Sequence, residues 1–136
     1  MRRDVDDLAR MTVDCGFKLH QTLGPGLLES AYEACLAHSL VKEGLKVERQ
    51  KVLPLHYDGE VIDAGFRIDL LVEDQLLIEL KSVEAIAPVH VKQVLTYLRL
   101  MDLRLGLLLN FGAGTFREGC RRLANDYVPR AASSRP

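Results

Sequence analysis

No apolar run in this 136-residue chain approaches the ~20 residues that a membrane-spanning helix requires. The opening MRRDVDDLAR carries acids and has no apolar centre, so it does not read as a secretory signal. No CxxC is present, and Cys15, Cys35 and Cys120 are odd in number and widely spaced. They read as reduced, buried thiols, which makes a cytoplasmic protein the expectation and excludes a disulfide framework. His20, His38, His56 and His90 lack ligand spacing, which argues against zinc. There is no GxSxG elbow, no phosphate-cradling GxxxxGK[ST] and no GxGxxG after a strand; Phe111-Gly112-Ala113-Gly114 is only a loop-forming pair of glycines. A net charge of −1 argues against an indiscriminate nucleic-acid binder, which would draw on clustered Lys and Arg. No internal repeat, low-complexity tract or linker interrupts the sequence.

What is present is an ordinary globular composition, 48% hydrophobic and 27% charged, in a length that suits one domain spanning 1–136 with a core of about 5–124 and a frayed tail over 129–136. The charge is unevenly spread. Residues 1–86 hold 10 basic and 16 acidic side chains, whereas residues 87–136 hold 8 basic and 3 acidic ones. Arg117, Arg121 and Arg122 stand close together, either to touch a phosphate backbone or as a solvated helix face.

Val5, Leu8, Met11, Cys15 and Leu19 recur at three- and four-residue spacing, which predicts a helix over 5–23, broken by Gly24-Pro25-Gly26. A second helix is expected over about 27–43, stopped by Gly44. Residues 46–57 read as a strand interrupted at Pro54, Asp58-Gly59 as a hairpin turn, 61–72 as a strand bent at Gly65, and 76–83 as another. Pro88 opens a helix to about Met101. The apolar run 105–111 predicts a strand covered on both faces, and residues 115–125 a last helix. The order describes a mixed α/β domain.

Within GFRIDLLVEDQLLIELKS, a carboxylate at Asp69 is followed across a short polar turn by Glu79-Leu80-Lys81. Alternation puts Glu79 and Lys81 on one face of their strand. A three-residue loop at Glu73-Asp74-Gln75 places Asp69 opposite Glu79, whereas a two-residue loop sends Glu79 to the other side. Two like charges face to face are destabilising unless a cation lies between them. Two carboxylates suit a hard divalent cation, and a nearby lysine can position water or offset charge on a reacting phosphate. The bland alternative is an Asp69–Lys81 ion pair, which leaves Glu79 unexplained.

Other polar residues are weaker signals alone. Gly26, Glu29 and Tyr32 share a helix face, though from spacing alone Glu29 reads first as a helix-start acid. Gln93 and Tyr97 stand four apart on the helix after Lys81, with His90 in its first turn. An amide can hold water or orient the lysine, and a phenol can bond a phosphate or stack on a base.

Taken together, Asp69, Glu79-Leu80-Lys81, Gln93 and Tyr97 resemble the PD-(D/E)xK nuclease superfamily, in particular its branch with a QxxxY helix. LGPGLLESAYEACL is similar to the signature of the GxxExxY proteins of that superfamily, and ELKSVEAIAPVHVKQVLTYLRL and LGLLLNFG look like the same family. The superfamily's leading proline is replaced here by Ile68. The resemblance covers about residues 5–124. It implies a restriction-endonuclease-like core, a mixed β-sheet flanked by helices, and cleavage of DNA phosphodiester bonds by a water activated by Mg²⁺ or Mn²⁺. Asp69, Glu79, the Leu80 carbonyl and Glu29 would hold the cation. Lys81, Glu29 and Gln93 would be catalytic, and Tyr97, Tyr32 and His90 would be candidate substrate contacts. The rival expectation is a silent nuclease-like domain that binds nucleic acid or a protein. A homodimer through the Leu-rich face of the 88–101 helix is a further expectation, and no membrane partner is expected.

Overall fold

A computed structural model describes residues 3–127, and the tail over 129–136 lies outside the described residues. Two helices lead, α1 (Val5–Leu23) and α2 (Glu29–Lys42). Strands β1 (Val47–Val52), β2 (Leu55–Tyr57), β3 (Glu60–Ile62), β4 (Arg67–Val72) and β5 (Leu76–Lys81) follow. Then come α3 (Pro88–Met101), β6 (Leu105–Asn110), a 3₁₀ turn (Arg117–Gly119) and β7 (Cys120–Ala124). Five strands form one mixed sheet in the order β1-β4-β5-β6-β7, antiparallel except for the β5–β6 pair, while β2 and β3 make a separate hairpin. Helix α3 is the crossover that a parallel β5–β6 pair requires.

The sheet is covered on both faces. Leu76, Ile78 and Leu80 share a buried cluster with Leu8, Tyr32 and Leu36 of α1 and α2, whereas Leu77 and Leu108 pack with Val94, Tyr97 and Leu98 of α3. All six residues of β6 are buried, as its unbroken apolar run requires. On α1, Gly16 lets the helix approach Phe116: a β-carbon there would lie 2.4 Å from the ring. Asp4 caps α1 by accepting from the Asp7 N–H (2.9 Å).

Two expectations change. Residues 61–72 do not form one bent strand: the chain breaks at Gly65 (φ +81°), and β3 pairs with β2 rather than entering the main sheet. The predicted last helix over 115–125 is instead a 3₁₀ turn and an edge strand, because β6 needs an antiparallel neighbour on its open side. Arg121 and Arg122 therefore point to opposite faces, and Arg122 is held by Asp6 on α1. Finally, Val94, Tyr97 and Leu98 of α3 are spent on the sheet, which leaves Val89 and Leu100 as its exposed large apolar residues. Among the described residues, no helix is long and apolar enough to cross a membrane.

Candidate active site

The site forms where three adjacent strands depart from regular pairing together. Val72 accepts from the Gln75 N–H (2.9 Å) and pairs with Leu76, with Glu73 (φ +52°) and Asp74 (φ +56°) in the left-handed region. The extra residue in this turn sets the register Leu70↔Ile78, which puts Asp69 opposite Glu79. The three-residue loop is thus the one found. Across β1, the pairs Arg49↔Leu70 and Lys51↔Ile68 put Gln50 opposite Asp69, and Gln50 itself has φ +52°, inside a strand. The pleat of β4 also turns over here: Leu70 and Val72 pack toward α1 and α2, whereas Ile68 packs toward α3.

Carboxylates take over the hydrogen bonds at this break. The Asp69 N–H donates to Glu79 Oε1 (3.1 Å), and the Leu80 N–H donates to Asp69 Oδ2 (2.9 Å). Asp69 Oδ1 accepts from Gln50 Nε2 (3.3 Å), and the same amide donates to Glu33 Oε1 (2.5 Å). Glu79 is only 5% exposed. Burial, and then the facing Asp69 carboxylate, push its carboxyl up to about 9, with the Lys81 charge pulling weakly the other way. Lys81 ends β5, half-buried, and strand alternation gives it the face of Glu79. Among the described residues no ion pair joins Lys81 to Asp69 or Glu79, so the hairpin is not explained as a simple salt bridge.

Helix α3 brings up the second row. Gln93 Nε2 donates to the Tyr97 hydroxyl (2.9 Å), and the Tyr97 ring is buried. Burial raises the proton affinity of that hydroxyl, the Gln93 bond lowers it, and the charges of Glu79 and Asp69 raise it again. His90 Nδ1 accepts from the Ala87 N–H (3.1 Å), which caps the first turn of α3.

One expectation is corrected. Tyr32 is not available to substrate: its ring is fully buried and stacked on Phe111 at 4.5 Å. Its hydroxyl donates to the Gly24 carbonyl (2.5 Å) and accepts from the Leu27 N–H (3.2 Å), fixing the turn between α1 and α2. Glu29 is exposed on the first turn of α2. The acid that reaches the site's edge is Glu33, one turn later. It is buried, held by Arg49 Nε (3.1 Å) and Gln50, and linked through Gln50 to Asp69. Its signal in the sequence was an acid at 33 beside the buried stripe of Tyr32, Leu36 and Leu40.

Asn110 is a further residue at the site that no motif or spacing marks. It pairs with Lys81 in the β5–β6 register and is 1% exposed. Its Oδ1 accepts from the Val83 and Gly112 N–H groups (both 3.0 Å) and its Nδ2 donates to the Val83 carbonyl (2.9 Å), which pins the chain just after Lys81. Asn110→Ala is expected to lower stability by about 2–4 kcal/mol in urea unfolding, because it strands buried backbone groups. An unchanged midpoint would show that the clamp contributes nothing.

Two carboxyl groups facing each other on neighbouring strands fit a hard divalent cation: the donors are oxygen, and Glu79, which keeps its proton beside Asp69, would give that proton up to a cation placed between them. No curated protein and no solved structure matches the chain. A family profile described as the PD-(D/E)XK nuclease superfamily matches residues 6–123, and the mixed sheet flanked by helices agrees with its fold; the chain belongs to that superfamily.

Proposed function

We propose that the protein is a cytoplasmic, Mg²⁺- or Mn²⁺-dependent deoxyribonuclease of the GxxExxY group. The observation that carries this is the face-to-face pair of Asp69 and Glu79, with Glu79 buried and strongly resistant to ionisation, beside Lys81. Asp69 and Glu79 would hold the cation. The Leu80 carbonyl is the third candidate, because a strand residue's N–H and C=O point to the same side and the Leu80 N–H already donates to Asp69. When bound, the cation would polarise the phosphate and make the attacking water more acidic.

The chain's own groups supply the rest. The Lys81 ammonium orients the water and offsets charge that accumulates on the phosphate oxygens as the new P–O bond forms and the ester P–O bond breaks. Gln93 and Tyr97 form the opposite wall, the amide fixed by its bond to the phenol. Glu33, Arg49 and Gln50 hold Asp69 in place from the β1 side. The test is a Mn²⁺ titration followed by incubation with single- and double-stranded DNA. Turnover that EDTA abolishes is the expected result. Saturable Mn²⁺ binding without cutting of any substrate would assign the domain to binding alone.

A further inference from the structure

Phe66 takes no part in the chemistry above. Its backbone is anchored, the carbonyl accepting from the Leu53 N–H (3.0 Å), yet the residue is 42% exposed. The ring leans on Tyr97 with centroids 6.0 Å apart and planes inclined by 54°. These two rings, His90, Lys92 and Gln93 line an open groove of about 340 Å³, in the lower range of volumes that take a small ligand.

The groove lies beside the candidate active site, since Tyr97 on its wall feels the charges of Glu79 and Asp69. Tyr97 packs in one cluster with Ile68, the neighbour of Asp69, and with Leu77, two residues before Glu79. Gln93, bonded to Tyr97, belongs to both. An exposed phenyl edge and an apolar floor have nothing to offer a paired duplex, which presents phosphates and hides its base faces. They match the face of an unpaired base, and Lys92, exposed on the groove wall, matches a phosphate.

We infer that this groove seats one unpaired nucleotide, its base stacked on Phe66, so that the substrate enters the site single-stranded or as a frayed end. This rests on the proposed nuclease reading and gives it a substrate class.

The test is direct binding of an eight-nucleotide DNA strand carrying one 2-aminopurine, with Ca²⁺ as the cation, to the full chain. Wild type should quench the 2-aminopurine. Phe66→Ala should lose the quenching and bind about ten-fold or more weakly, whereas Phe66→Trp should restore both. The two proteins should bind alike when the reporter position is abasic. Undiminished quenching by a Phe66→Ala protein with wild-type circular dichroism would overturn the inference. So would tighter binding to the blunt duplex, or a self-association in sedimentation that Phe66→Ala abolishes while the base reporter never responds. The two readings fail separately: cutting of duplex DNA that ignores Phe66 overturns this inference alone, and quenching without cleavage under Mg²⁺ or Mn²⁺ overturns the nuclease reading alone.

Discussion

Lys81→Ala should lower single-turnover cleavage of DNA by at least about 10²–10³-fold while the far-UV circular dichroism stays that of the wild type. The side chain is half-buried at the last position of β5 and no ion pair among the described residues ties it to a carboxylate, so little native structure depends on it. Its charge acts where negative charge builds up on a phosphate, which is a transition-state effect and should appear in kcat rather than in KM. Arginine should rescue only in part, since its planar fork cannot reproduce a compact ammonium. Asp69→Asn makes the companion experiment. It keeps an oxygen to accept from the Leu80 N–H and removes the charge, so loss of cutting there reports on the cation rather than on the fold. Lys81→Ala that cuts at the wild-type rate would remove the lysine from the mechanism.

The hairpin was legible in the sequence because its register is an arithmetic consequence of loop length: once Val72 pairs with Leu76, Asp69 must meet Glu79. Helices α1 and α3 were equally plain, since each carries a repeating apolar face and a clear breaker or starter, Gly24 and Pro88. The terminal segment was not. CRRLA has two charges that suit a helix as well as a strand, and its state is decided by the unpaired edge of β6, a partner 15 residues away in sequence. The place of Glu33 is not legible for a related reason. Glu29 and Glu33 share a helix face, and only the packing of α2 against β1 determines which one Arg49 and Gln50 engage. The burial of Tyr32 is not legible, because spacing gives the face of a helix and not the depth at which that face is buried. Asn110 reads as the end of an apolar run; its three bonds to backbone exist only once the crossover through α3 has returned the chain beside Lys81.

In EDTA, Glu79→Gln should be more stable than the wild type at pH 8, by on the order of 4–5 kcal/mol, and the difference should vanish near pH 4. The sign follows from the two proton affinities. Glu79 titrates near 4.5 when exposed and is raised to about 9 in the folded protein, by burial first and by Asp69 second. Between those values the native state keeps the proton and the unfolded chain releases it, so wild-type stability is full below about pH 4.5 and declines as pH rises toward 9. Glutamine has no proton to lose, fills the same volume and can still accept from the Asp69 N–H, so its urea midpoint should lack that slope. Saturating Mn²⁺ should narrow that gap. The cation supplies the positive charge that two facing carboxylates lack, and at 100 times its dissociation constant it would stabilise the wild type by about 2.7 kcal/mol and the variant by much less. Because binding must displace the Glu79 proton, the wild type's affinity for Mn²⁺ should also tighten as pH rises. Parallel pH profiles in EDTA would mean that Glu79 is ionised in the native protein, and a wild type indifferent to Mn²⁺ would remove the carboxylate pair as a cation site.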